Sequence, residues 1–150
     1  MKKILYLALV MIFLTTSISF SQPSDETMKS IKSLELINNN LSLVIKDILS
    51  GKYDEESIIK DLKYNNSLVK SIYNETIFEY KEDINIKNKT TLQKREEGTI
   101  FYIATLYSLA INGITLYLED KSANETFLLD AISEYRQGTQ ALNAFKDVFK

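Results

Sequence analysis

The chain has 150 residues, with 20 acidic and 18 basic side chains and a formal net charge of −2. It contains no Cys and no His, which excludes disulfides, a thiol nucleophile, a Cys/His zinc or haem site and a Ser-His-Asp triad. A mildly acidic chain with scattered Lys residues is also a poor match to nucleic-acid binding. We therefore expect no metal, no cofactor and no nucleic-acid partner.

Residues 1–21 predict an export signal. Two Lys residues precede the apolar run Ile4–Leu14, and Ser19 and Ser21 are the small residues at positions −3 and −1 of a cut after Ser21. The run is shorter than the roughly 20 residues that span a bilayer, which favours cleavage over a membrane anchor. Short Lys-Lys signals are typical of bacteria, so we expect a periplasmic or secreted protein with one domain over residues 22–150.

The first two predicted helices come soon after the export signal in the chain. One begins at Ser24 or Asp25 and runs to about Ser50, where Gly51 suits the left-handed turn that closes a helix. The second begins after Asp54 and reaches about Lys81. Asn38–Asn40 is a weak point for a kink or break in the first helix. The expected core-facing seams are Ile31, Leu34, Leu41, Ile45 and Ile48, and then Ile58, Leu62, Val69, Ile72 and Thr76.

Residues 82–89 are weak helix formers with an alternating pattern, and we interpret them as a loop or a single irregular turn. Capping boxes at Thr90/Gln93 and Ser122/Glu125 predict a third helix over about Thr91–Glu119 and a fourth over about Ala123–Phe149. Short connections between long helices favour antiparallel neighbours, so we expect an all-α, antiparallel up-down four-helix bundle. The seam of the fourth helix comprises Leu128, Ala131, Tyr135, Gly138, Leu142, Phe145 and Phe149.

The third helix differs because no charged residue occurs from Gly98 to Leu118. Such a helix needs an apolar environment on every side, and three interpretations follow. It is a central helix shielded by its partners, or another protein covers its outer face, or residues 98–118 span a membrane. Thr105 and Asn112 lower the apolar character of the segment, which favours burial or a protein interface over a span.

Two sets of candidate residues follow from this helix. We expect one face to pack in the bundle through Ile103, Leu106, Ala110, Gly113 and Tyr117. We expect the opposite face to be the interface with a protein partner or a second copy, through Ile100, Tyr107, Ile111, Ile114 and Leu118. The small residues Gly113 and Gly138 allow the third and fourth helices to pack closely, or leave a ligand pocket flanked by Tyr117 and Tyr135.

The sequence offers little catalytic chemistry. Ser57/Lys60 and Ser67/Lys70 have the Ser-x-x-Lys spacing of penicillin-recognising enzymes, but chance predicts one or two such matches and the accompanying motifs are missing. The best group of oxygen ligands is Glu119, Asp120, Asn124 and Glu125, which solvated helix ends explain. We therefore expect no enzyme.

The leading functional hypothesis is an exported, non-enzymatic helical protein that acts by protein–protein contact, as an inhibitor, immunity protein or accessory subunit does. One alternative is a carrier or sensor of a small apolar ligand held between the third and fourth helices. The other is a membrane-associated protein in which residues 98–118 insert.

Overall fold

The computed structural model describes residues 23–81, 91–119 and 125–149, and all regular structure in these ranges is helical. The helices are α1 (Asp25–Ser50), α2 (Glu55–Lys81), α3 (Thr91–Glu119) and α4 (Thr126–Asp147). The expected all-α class and helical-bundle character are confirmed. The predicted signal at residues 1–21, the loop at 82–89 and the cap at Ser122 lie outside the described residues.

Side-chain caps and a glycine set the ends of the first two helices. The Ser24 hydroxyl accepts a hydrogen bond from the backbone N–H of Thr27 at 3.0 Å, so it satisfies one of the free donors of the first turn of α1. Gly51 ends α1 with φ of 67°, and its N–H donates to the Ile48 carbonyl at 3.0 Å. The Asp54 carboxylate accepts from the Ser57 N–H at 3.1 Å before α2.

Helix α1 runs unbroken through Asn38–Asn40, where the sequence predicts a weak point. Two of the three Asn side chains there bond to other helices rather than compete for their own backbone. Asn38 Oδ1 accepts from the Tyr107 hydroxyl at 3.0 Å, and Asn40 Nδ2 donates to Asn65 Oδ1 at 3.1 Å. These bonds across the bundle explain why the run does not interrupt the helix.

The four helices share one apolar core, and α3 lies at its centre. Helix α3 packs against all three other helices, as does α1, whereas α2 and α4 do not contact each other over the described residues. The predicted seams of α1 and α2 are buried throughout. Five residues of α3 are 0% exposed: Ile103, Ala104, Tyr107, Ala110 and Ile114. One side of the charge-free segment therefore supplies the middle of the core.

Candidate functional site

The residues that the sequence assigned to an interface lie in the core. Ile100, Tyr107, Ile111, Ile114 and Leu118 are each between 0% and 3% exposed. They pack with Ile103, Ala110 and the apolar residues of the other helices in a single cluster. No second protein can reach these side chains without opening the bundle, so this assignment of the outer face is corrected.

The correction has a simple geometric cause. An α-helix turns by about 100° per residue, so residues 103 and 107 differ by only about 40° around the axis. The two sets that the sequence analysis placed on opposite faces are therefore neighbours on one broad inner side. Glu96, a turn before Ile100, lies on the same side and is only 6% exposed.

The outer side of α3 carries a different set of large side chains, which the sequence analysis missed. Phe101, Tyr102, Leu109 and Leu116 are 41%, 52%, 49% and 45% exposed. Between them lie only uncharged residues such as Thr105 and the exposed Asn112. We call Phe101, Tyr102, Leu109 and Leu116, together with Thr105 and Asn112, the outer face of α3. A helical-wheel projection of the uncharged segment that takes Ile103 as a core position places the residues of the outer face on the opposite side of the helix.

Helix α2 supports one edge of the outer face. The ring of Phe101 lies 5.1 Å from the ring of Tyr73, centroid to centroid and tilted by 44°. The Tyr73 hydroxyl lies 3.2 Å from Thr105 Oγ1, which donates to the Phe101 carbonyl at 2.9 Å. These contacts fix the orientation of Phe101, so the apolar surface at this edge is preorganised.

The proposed gap between α3 and α4 is filled by protein atoms. A Cβ at Gly138 would lie 2.5 Å from Cε1 of Tyr107, and a Cβ at Gly113 would lie 2.9 Å from the Ala131 Cβ. Tyr117 and Tyr135 are half-buried and pack against the core. The small residues therefore serve close packing of the two helices, which corrects the assignment of a ligand pocket flanked by Tyr117, Tyr135, Gly113 and Gly138.

A polar cluster joins three helices beside this contact. Asn38 Oδ1 of α1 accepts from the Tyr107 hydroxyl, and Thr139 Oγ1 of α4 lies 2.6 Å from the same oxygen. The buried phenol thus has a partner, as buried polar groups require. Burial raises the pKa of Tyr107 above its ordinary value, although the neighbouring Thr139 hydroxyl opposes the shift.

A polar cleft of about 550 Å³ lies at one end of the bundle, between the beginnings of α1 and α3 and the later part of α2. The Thr27 hydroxyl on its wall donates to the buried carboxylate of Glu96 at 3.0 Å. At the rim, Lys29 pairs with Glu75 at 2.8 Å, which raises the pKa of the Lys29 ammonium. The cleft is rich in hydroxyl and carboxylate groups and does not resemble the apolar pocket that the sequence suggested.

The candidate catalytic pairs are at the surface. Ser57, Lys60, Ser67 and Lys70 are all exposed, and the Ser67 hydroxyl donates to the Tyr64 carbonyl at 2.7 Å. Glu119 and Glu125 of the predicted oxygen cluster are exposed, whereas Asp120 and Asn124 lie outside the described residues. Within the described ranges, no group of three or more acidic side chains is arranged to hold a metal ion.

By length and composition, Gln93–Glu119 is the one helix in the described part of the chain that could cross a membrane. Core helices of soluble proteins satisfy the same criterion, so the criterion alone does not separate the two cases. Comparisons with protein families, curated proteins and solved structures found no match to this chain. The candidate site therefore has to be interpreted from its own geometry and chemistry.

Proposed function

We propose that this chain is an exported, non-enzymatic helical protein that acts by binding a protein surface through the outer face of α3. The observation that carries the proposal is the absence of any charged residue from Gly98 to Leu118 on a helix with large apolar side chains at the surface. Bundle helices ordinarily place charged residues on the side that meets water. An inhibitor, an immunity protein or an accessory subunit would use such a face.

The exposed aromatic and aliphatic side chains suit this role. Tyr102, Leu109 and Leu116 recur at steps of seven residues, so they form one stripe along the helix rather than scattered contacts. Aromatic anchors next to aliphatic side chains are typical of the energetically dominant parts of protein interfaces. Uncharged Thr105 and Asn112 between them add hydrogen-bonding groups at a low desolvation cost.

We also infer that helices consecutive in the chain run antiparallel, up-down-up-down. Lys29 of α1 pairs with Glu75 of α2, and Asn40 with Asn65, so rising numbers in one helix meet falling numbers in the other. Tyr107 of α3 lies against Gly138 of α4, and Gly113 against Ala131, in the same sense. A Lys29→Cys/Glu75→Cys variant should cross-link readily, whereas Lys29→Cys/Lys60→Cys should not.

Export rests on the pattern of residues 1–21. Mass spectrometry of the protein from its host should find an N-terminus at Gln22. An intact Met1 would contradict cleavage after Ser21.

Cysteine labelling in the host tests protein contact through the outer face. The chain has no Cys, so Leu109→Cys and Leu43→Cys each introduce one exposed thiol, on α3 and on α1. In the purified protein, diluted until complexes dissociate, both thiols should react with maleimide at similar rates. In the intact host the thiol at position 109 should be protected, while that at position 43 should react as before.

Equal reactivity of the two thiols in the host would contradict the proposal. Alkaline carbonate extraction of host membranes separates the two remaining sources of protection. A protein released by carbonate is covered by protein, whereas one retained in the bilayer fraction has residues 98–118 inserted, which would favour the membrane alternative.

A further inference from the structure

We propose that the partner of the outer face is a second copy of this chain, bound antiparallel so that Leu109 lies on the twofold axis; this inference rests on the proposed function. A twofold axis makes an interface from the same surface on both subunits, so the surface has to be complementary to itself. The outer face of α3 has this property in both its apolar stripe and its charges.

The apolar stripe is centred on Leu109. Tyr102 and Leu116 lie seven residues before and after it, and Thr105 and Asn112 occupy the positions between. This is the spacing that lets two helices pack side by side with interlocking side chains. An antiparallel copy places Leu109 against Leu109 and Tyr102 against Leu116, and because the segment is uncharged no like charges meet.

Charged residues flank this surface only at its two ends, and the exposed Lys94 at one end is opposite in sign to Glu119 at the other. Lys94 and Glu119 are both exposed and lie within about 20° of each other around the helix axis, since they are 25 residues apart. In an antiparallel pair, Lys94 of each chain approaches Glu119 of the other, with an offset of about 7 Å along the axis that both long side chains span. A parallel pair would bring like charges together.

The helix dipole supplies a second and independent argument. Helix α3 has no acidic residue in its first turn and no basic residue in its last turn. Lys94 thus lies at the positive end of its own helix and Glu119 at the negative end, the reverse of the favourable arrangement. An antiparallel second copy brings the opposite end of a helix dipole to each of these side chains, so the dimer corrects the unfavourable placement.

Reversing the charge of Lys94 or of Glu119 tests this dimer, and combining the two reversals tests whether opposite charges restore it. Sedimentation equilibrium of the protein purified from its host should give a dimer. At low ionic strength, Lys94→Glu and Glu119→Lys should each raise the dissociation constant roughly tenfold, because two attractive pairs become repulsive. A mixture of the two variants should regain the dimer, as should the double variant, since each restores opposite charges.

Controls make each outcome decisive. Lys60→Glu, which makes the same charge change on the exposed side of α2, should leave the dimer unaffected. Leu109→Lys should give a monomer with an unchanged helical circular-dichroism spectrum. The inference is overturned by a wild-type monomer, by dimers that tolerate Lys94→Glu, or by a mixture of variants that stays monomeric.

The failure of this inference and that of the proposed function give different results. If the wild type is a monomer while position 109 is protected in the host, a different protein covers the outer face, and only the identity of the partner is wrong. If position 109 reacts freely in the host, the outer face binds nothing, and the proposed function fails whatever the oligomeric state.

Discussion

Gly138 of α4 lies directly against the ring of Tyr107 of α3, so that even a single added methyl group would meet Cε1 at 2.5 Å. Tyr107 is fully buried and its hydroxyl is bonded to Asn38, so the ring has no space into which it can move. This contact sets the distance between the charge-free helix and its neighbour.

Gly138→Ala should therefore destabilise the protein, although Ala is the better helix former. We expect overpacking to cost about 1–3 kcal/mol against the roughly 1 kcal/mol that Ala gains over Gly in a helix, a net loss of up to about 2 kcal/mol. Gly98→Ala is the matched control, because a Cβ there meets no atom within 4 Å and should raise stability. Urea unfolding of both variants checks this, and a stabilised Gly138→Ala would refute the close contact.

Asn65→Leu should stabilise the protein. Asn65 is 0% exposed and its Nδ2 has no hydrogen-bond partner among the residues that the structure describes, while its Oδ1 accepts from Asn40. An unsatisfied buried donor costs about 1–3 kcal/mol, and the half-buried Asn40 can still reach water. A rise in the free energy of unfolding by about 1 kcal/mol is expected, and a fall by that amount would mean that Asn65 makes a further hydrogen bond.

Tyr107 should make stability depend on pH in the alkaline range. Because burial raises the pKa of its phenol in the folded state, the unfolded chain loses this proton first as the pH rises. Its contribution to stability is therefore complete below the unfolded pKa of about 10 and declines at higher pH.

Tyr107→Phe should remove this part of the alkaline decline and lower the stability near neutral pH by about 1 kcal/mol, since one hydrogen bond is lost. Tyr102→Phe, at the exposed outer face, serves as the control and should follow the wild type. Denaturant unfolding between neutral pH and pH 11 checks the comparison. Parallel profiles for wild type and Tyr107→Phe would contradict the assignment.

Thr27→Val should destabilise the end of the bundle that carries the cleft. The Thr27 hydroxyl donates to the Glu96 carboxylate, and its loss leaves a buried acceptor without that donor. A cost of about 1.5–3 kcal/mol is expected for a hydrogen bond to a charged group. Thr115→Val loses only a hydrogen bond to a carbonyl of its own helix. If it lowers the free energy of unfolding as much as Thr27→Val does, the hydrogen bond to Glu96 stabilises the protein no more than a bond within a helix.

The helices and their inner seams could be predicted from the sequence because the spacing of apolar residues reports the helical period directly. Leu34, Leu62 and Leu142 are buried as their positions in the seams required. The prediction of which side of α3 faces the core failed, because every residue from Gly98 to Leu118 is uncharged. Charge therefore does not indicate there which side faces water. The angle of about 40° between residues 103 and 107 places both on the inner side of α3, and the angular position of each residue around the axis separates that side from the outer face.

The features that the sequence did not predict depend on contacts between residues far apart in the chain. Asn38 was interpreted as a weakness in α1, because a sequence does not show that Tyr107 and Thr139 meet its side chain. For the same reason Gly138 fitted either a pocket or close packing until the position of the Tyr107 ring was known. The polar cleft at Glu96 likewise depends on Thr27, which is 69 residues away in the chain.

The charge-free helix has one side in the core and the opposite side at the surface of the monomer. Urea unfolding of Ile114→Lys and Leu116→Lys, at protein concentrations low enough for monomers, tests this arrangement most directly. Ile114 is 0% exposed and Leu116 is 45% exposed, only two residues away. We expect Ile114→Lys to lose more than about 4 kcal/mol and Leu116→Lys to remain within about 0.5 kcal/mol of wild type. Equal losses in the two variants would contradict the account.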